Sequence, residues 1–355
     1  MAIGFPTKSN WSAGDILTAA QMDDLAGTVN LLQNSAFPIM AGKNFLINGG
    51  MDIWQRGTSF TNPAGIYTAD RWTASVAGTC TVSQLTSSLP SNFRYGIQWV
   101  AGAANSYAQL KTFIETANVI PLQGKTVTIS GWVKASANYV GNWIFQNYYS
   151  TSTDSSASVT TQNGSNIAIA TSATTTWTFF SVTFTVPATA LGLGVFFIPD
   201  NAAQVNTGTI QMTGVQLELG SAATTFSRAG GSIGGELALC QRYYQKSYPQ
   251  GTTVPTNSTS AGVVFVPGSS VASTAYFAQV FLPITMRTAP TVTIYSYASS
   301  TVSVVSSSSG VDLAASSGVA NLIGDRGFTV QNSSGGTITA GAGGFDFHYA
   351  ASGEL

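Results

Sequence analysis

Between residues 43 and 228 apolar and polar side chains alternate with a period of two. Val127, Ile129 and Val133 alternate with Thr128, Ser130, Trp132 and Lys134; Phe180, Val182, Phe184 and Val186 alternate with Trp177, Phe179, Ser181, Thr183 and Thr185. At that spacing successive side chains fall on opposite faces of an extended strand, so each segment reads as a strand with one face in a core. Further along, Ile210 and Met212 are in one phase and Val215, Leu217 and Leu219 in the other. A β-bulge at Gly214 keeps both sets on the core. Strands at this spacing, divided by Ser/Gly/Asn-rich stretches such as 150–158, predict a sandwich or jelly roll over 43–228.

The spacing changes in residues 1–42. Thr18-Ala19-Ala20-Gln21 has the form of a capping box, with Leu17 and Met22 placed to close a hydrophobic staple. Asp23 and Asp24 follow near the positive end of the helix dipole. Met22, Leu25, Val29 and Leu32 then fall on one side of an amphipathic helix that fades before Pro38. This face is an inter-chain seam or an anchor against the same protein or a neighbour; two heptads are too few to choose a coiled coil.

Residues 229–235 carry four glycines and read as a flexible joint, followed by a short helix over 236–244. A second β region then runs over 247–355, with strands expected around 263–266, 275–282, 291–297, 302–305, 327–331 and 344–349. No fixed-period repeat is present, which disfavours solenoids. The fold class is therefore mainly β: an N-terminal helix, a β jelly roll, a short linking helix and a C-terminal β-sandwich.

Charge changes this picture most. Charged residues make up 8% of the chain and the net charge is −1, against roughly 25% charged in ordinary soluble domains. Such poverty of charge suggests a membrane protein or disorder. Here Ser, Thr, Asn, Gln and Gly interleave with β-branched and aromatic residues instead, as on exposed sheet. No basic stripe exists to release counterions from nucleic acid, and no apolar run approaches the ~20 residues that span a bilayer as a helix. The opening residues lack the charged and apolar regions of a secretory signal. Cys80 and Cys240 stand 160 positions apart and read as two free, semi-buried thiols rather than a disulfide.

Chemistry is sparse. The sole histidine, His348, alternates with Phe347 and Tyr349 in a predicted strand and reads as a surface or interface residue without a catalytic partner. Histidine-based and cysteine-based metal sites fail on count, and no cofactor is expected. A structural calcium held by one or two of Asp52, Asp70, Asp154 and Asp200 with backbone carbonyls stays open. Hydrolysis needs a carboxylate pair or an activated nucleophile, and spacing pairs none of these residues, so no enzyme is expected.

The aromatic residues carry more. Trp132, Trp177 and Phe179 are out of phase with the core, and flat aromatics on an open face are what a glycan groove needs for stacking against sugar rings. The competing reading is that a loop, a neighbouring subunit or a second sheet covers that face. By the same phase argument Tyr295 and Tyr297 point outward from Val292 and Ile294, as a distal contact surface.

Three stretches resemble tail-fibre and appendage proteins of tailed bacteriophages. Asn44-Phe45-Leu46-Ile47-Asn48-Gly49-Gly50-Met51-Asp52-Ile53-Trp54-Gln55-Arg56-Gly57, with Tyr67-Thr68-Ala69-Asp70-Arg71-Trp72, is similar to the opening of their carbohydrate-binding-module-like jelly roll. Gly214-Val215-Gln216-Leu217-Glu218-Leu219-Gly220-Ser221 resembles its close, followed by the stretch from Glu236 to Tyr244. The third runs from Leu282-Pro283-Ile284-Thr285-Met286-Arg287-Thr288-Ala289-Pro290 through Gly327-Phe328 to the ending Ala350-Ala351-Ser352-Gly353-Glu354-Leu355. The resemblance implies a virion structural protein folded in the host cytoplasm: a tail fibre, commonly a homotrimer, held to other virion proteins by its N-terminus. Its distal end would meet host-surface glycan, with no catalytic residues, no nucleic acid and no membrane insertion. A capsid decoration or head-fibre protein is the alternative from the same setting, and a capsule polysaccharide depolymerase the alternative from another.

Overall fold

The computed structural model describes residues 42–102, 107–139, 141–199, 208–257, 261–267, 277–313, 315–331 and 344–355. The expected N-terminal helix, with Met22, Leu25, Val29 and Leu32, lies outside the described residues. The rest is mainly β, in antiparallel sheets with little helix.

Two sheets form the jelly roll. The first has six strands in the order Ser59–Thr61, Cys80–Leu85, Gly96–Ala101, Thr209–Leu219, Thr126–Ala135 and Thr178–Thr185. The second orders Ile167–Thr171, Asn142–Ser150, Gly192–Pro199, Tyr107–Ile114, Thr73–Ala77 and Ala64–Tyr67, with Thr161–Gln162 beside Asn142–Ser150. The core between them holds Val127, Ile129, Val133, Phe180 and Val182 with Trp72, Trp143 and Phe197. The alternation therefore placed the correct face inward. Phe184 is only half-buried, and Leu219, at the end of its strand, is 50% exposed.

The bulge at Gly214 is present, as the register of Thr209–Leu219 against Thr126–Ala135 shifts between Thr213 and Gln216. Gly214 has φ +63°, and a Cβ there would lie 2.4 Å from the Phe93 ring. Glycine is thus required twice over, by the left-handed backbone and by the close approach of an aromatic side chain. Past the bulge Val215 and Leu217 return to the core.

The opening motif does architectural work. The Asn48 side chain donates to the carbonyls of Ile53 and Asp70 and accepts the Ile53 N–H, tying a turn that spans 22 residues. The Trp54 indole donates to the Met51 carbonyl, and the Trp72 indole to that of Asn48. Asp70, fully inside, accepts from the Gln55 backbone and side chain.

Within 229–235, expected as a flexible joint, Gly230 and Gly235 are in close backbone contact while residues 232–234 are exposed. A Cβ on Gly230 would lie 2.2 Å from the Gly235 carbonyl carbon, so these two glycines serve backbone contact. Ser232 caps the helix Ile233–Gln241 by accepting the Gly235 N–H at 3.1 Å. The helix starts three residues earlier than expected because of that cap. It ends before Tyr243, and Tyr244 opens the strand Tyr244–Lys246. Glu236 accepts backbone N–H groups from Asn48 and Gly230, locking the helix to the jelly roll.

After the helix, Phe345–Ser352 is the centre of a five-stranded sheet, pairing with Tyr244–Lys246, Val264–Val266, Thr291–Ser296 and Ser306–Ser307. A three-stranded sheet of Phe277–Phe281, Gly327–Gln331 and Val319–Gly324 packs against it through Val280, Phe328, Phe345 and Phe347. The strand expected at 302–305 is instead the short Ser306–Ser307. Val319–Gly324 was not anticipated, because Leu322 and Ile323 break its alternation by facing solvent.

His348 is fully buried, not a surface or interface residue. Its Nδ1 lies 2.8 Å from the Ser247 hydroxyl and its ring stacks on Tyr248 at 3.9 Å. Cys80 and Cys240 are separate buried thiols, and burial pushes the Cys80 thiol up to about 12. No helix among the described residues is long and apolar enough to cross a membrane.

The two pairs of sheets meet through buried charge. Arg71 donates to Glu354 and to the Phe113 carbonyl, with its guanidinium 3.6 Å above the Tyr243 ring. Arg56 reaches the same carboxylate at 2.9 Å, lies 3.6 Å from Asp70, and sits 3.7 Å above Tyr244.

Candidate functional site

The outer face of the six-stranded sheet carries a groove of about 620 Å³, within the range of ligand pockets. Its floor comes from neighbouring strands. Trp132 of Thr126–Ala135 lies directly across from Phe179 of Thr178–Thr185. Their rings meet edge to face at 5.4 Å and 61°, a cross-strand pair of the kind that stabilises sheets and leaves a π-surface available. Trp132 is half-buried and Phe179 is 44% exposed. Ser130 and Gly214 continue the floor.

Two irregular segments form the walls. Ser91, Asn92 and Phe93 rise on one side and 223–228 on the other, closed at one end by Phe93 and Phe226 with ring centroids 5.2 Å apart. The 223–228 wall is latched to the sheet. The Glu218 carboxylate accepts the Thr224 N–H at 2.8 Å and its hydroxyl at 2.5 Å, and the Gln216 side-chain Oε1 accepts the Ser227 N–H at 2.7 Å. Gln216 and Glu218 are out of phase with Val215 and Leu217, so the strand that fills the core also fastens the wall. Such anchoring keeps a binding surface in one geometry before a ligand arrives.

The electrostatics are nearly neutral. Among the lining residues Arg228 alone is ionisable, and its Nε donates to the Asp52 carboxylate at 2.8 Å. That hydrogen bond holds the guanidinium above its ordinary pKa, so it stays cationic. The polar lining is otherwise hydroxyl and amide, from Ser91, Asn92, Ser130, Thr224 and Thr225. Among the described residues no carboxylate lines the groove.

Of the three aromatic residues singled out by phase, two meet in the groove. Trp177 does not line it: it precedes the first strand residue, Thr178, and its indole N–H donates to the Ser88 carbonyl at 2.6 Å. The competing expectation of a covering loop holds for part of this face. Thr128 is buried and donates to the Gly220 carbonyl, while Phe179 stays open. Phe93, Phe226 and Arg228 were not visible in the pattern, because wall residues in irregular segments have no periodicity to betray them. Tyr295 and Tyr297, expected on a distal contact surface, are both half-buried. Tyr295 packs on Tyr248 at 6.3 Å, and Tyr297 lies in the turn beyond its strand. A second groove, of about 580 Å³, lies on the three-stranded sheet beside Phe281 and Leu322.

The candidate calcium ligands are committed within the protein: Asp52 to Arg228, Asp70 to Gln55 and Arg56, and Asp154 to the Thr116 N–H. Asp200 lies outside the described residues. Among the described residues no three His, Cys, Asp or Glu side chains gather as a metal site.

No family model matches the chain, and no curated protein matches it. Among solved structures it is similar to the enzymatically active domain of bacteriophage CBA120 tailspike protein 4, at 15% identity and a TM-score of 0.34, over 50% of this chain and 21% of that one. It is also similar to the CBM22-1 xylan-binding domain of Paenibacillus barcinonensis Xyn10C, at 15% identity and a TM-score of 0.32, over 52% of this chain and 98% of that one. A third is TmCBM61, solved with β-1,4-galactotriose, at 11% identity and a TM-score of 0.30, over 50% of this chain and 99% of that one. The chain thus spans about a fifth of the tailspike chain. These are weak likenesses, and what those proteins bind does not transfer with them.

Proposed function

We propose that this chain is a non-catalytic bacteriophage virion protein, a tail fibre, whose jelly roll binds host-surface glycan in the groove floored by Trp132 and Phe179. It attaches to other virion proteins through its N-terminal segment and works as a homotrimer. The attachment, the virion setting and the stoichiometry are supported by the three stretches that resemble phage appendage proteins. The glycan reading is carried by one observation: a cross-strand aromatic pair on the face opposite the core, ringed by hydroxyl and amide groups. Sugar rings present C–H faces that stack on such surfaces and hydroxyls that bond to such walls.

Each stacking contact is worth about 0.5–1.5 kcal/mol, by analogy with aromatic pairs. Trp132→Ala and Phe179→Ala should therefore each weaken glycan binding and host-cell adsorption several-fold. Melting should change little for Phe179→Ala, since that ring is open to solvent. Adsorption equal to the parent by soluble, normally assembled variants at both positions would remove the groove from consideration. A lowered melting temperature or lost assembly would instead mark these rings as a packing surface.

A further inference from the structure

Among the described residues the two large apolar side chains most open to solvent, Leu322 and Phe281, lie together beside the turn between Val319–Gly324 and Gly327–Gln331. Leu322 is 85% exposed, Ile323 37%, and Phe281 on the adjoining strand 75%. Scattered exposed apolar residues need no explanation, whereas a rimmed cluster marks an interaction site. Phe281 and Leu322 line the groove of about 580 Å³ together with Asp325 and Arg326. Both of these are exposed, and neither side chain forms an ion pair among the described residues.

The backbone here is strained in favour of display. Leu322 has φ +47°, in the left-handed region where a branched residue is unfavourable and where asparagine or glycine is at ease. The register shift between Asn321 and Gly324 creates that conformation. A leucine held there with almost all of its surface in water contributes nothing to the fold. Its conformation and its exposure both point to something outside the chain.

We propose that this tip is the surface through which copies of the chain associate, Leu322 of one copy entering the groove beside Phe281 of the next. The occupant is a second copy because the patch complements itself. It carries a protruding leucine next to a receiving groove, and an unpaired acid next to an unpaired base. A neighbour rotated about a common axis sets Asp325 against Arg326 while the apolar residues are buried between them. Leu322 stands at the groove that it lines together with Phe281, Asp325 and Arg326, so the same patch of a neighbour can present its own leucine there in a self-complementary contact. The inference rests on the reading of the protein as an oligomer and assigns the contact within it.

The test is the mass of the full chain by light scattering at micromolar concentration, with thermal melting of the same samples. Leu322→Asn suits the left-handed backbone and deletes the apolar knob, so melting of the folded chain should hold or rise while association weakens about tenfold or more. Phe281→Ser should weaken association similarly. Asp325→Arg and Arg326→Asp should each weaken association, and the double exchange should restore it, because two exchanged charges regain each other across a self-complementary contact. If the parent assembles and these variants assemble equally well, the tip is not the interface and the oligomeric reading survives on another surface. Single exchanges that weaken assembly without rescue by the double exchange refute the self-complementary pairing. A strictly monomeric parent overturns both readings.

Discussion

The buried ion pair between Arg71 and Glu354 joins residues 283 positions apart, and its removal is the sharpest test of how the two pairs of sheets are held together. The Arg71 side chain is 2% exposed and that of Glu354 9%, so neither partner can recover water as its solvent when the other is deleted. Glu354→Ala leaves two guanidinium groups without their shared carboxylate. Arg56, at 15% exposure, keeps Asp70 at 3.6 Å, whereas Arg71 retains the Phe113 carbonyl, the face of Tyr243 and Tyr67, all uncharged partners. Breaking a buried pair by removing one partner costs about 3–5 kcal/mol. The remaining cation–π contact, worth up to about 2 kcal/mol when desolvated, pulls the expectation to the lower end. A loss of about 3 kcal/mol is therefore expected, large against the 5–15 kcal/mol that stabilises a typical domain. Urea unfolding followed by tryptophan fluorescence measures it. Arg71→Met, which fills similar volume without charge, should recover much of the loss in the double variant, giving a coupling energy of about 2 kcal/mol. The effect should persist in high salt, since buried pairs are poorly screened. Glu354→Ala within about 0.5 kcal/mol of the parent, the scale of an ordinary surface change, would refute the view that this pair joins the sheets.

Gly214→Ala should lower stability by about 2 kcal/mol or more, because the left-handed backbone and the Phe93 ring 2.4 Å from the new Cβ act together. A full-strength Gly214→Ala in denaturant titration would mean that the bulge can rearrange. Burial pushes the Lys246 ammonium down to about 8 from its ordinary 10.5, while it donates to the carbonyls of Gln55, Gln250 and Thr252. Between those two values the unfolded chain binds more protons at this site than the folded chain, so the lysine's contribution to stability rises with pH. The stability of the parent relative to Lys246→Met should therefore grow from pH 8 to about 9.5, before tyrosine ionisation near 10 intervenes. A gap that is flat or narrows over that range, measured by urea midpoint, would contradict the assignment.

What the sequence determined by itself was whatever depends on neighbours along the chain. Period-two alternation put Val127, Ile129 and Val133 inside and left Trp132 and Phe179 outside. The phase break between Met212 and Val215 located the bulge at Gly214. These follow from strand geometry, in which each residue's face is set by the one before it. The same logic overreached at Trp177, where the strand begins one residue later and a carbonyl from residue 88 claims the indole. It could not see the groove walls, because Phe93 and Phe226 lie in irregular segments that meet across 133 positions, where one is held by contacts from Gln216, Glu218, Asn44 and Asp52. It misplaced His348, whose ring meets Ser247 and Tyr248 from the bend that follows the strand Tyr244–Lys246. It took the glycines of 229–235 for flexibility, when Gly230 and Gly235 let two backbones touch. Tertiary structure decided these features because each depends on which distant segments fold side by side. Periodicity assigns a side chain to a face but says nothing about what will be packed against it.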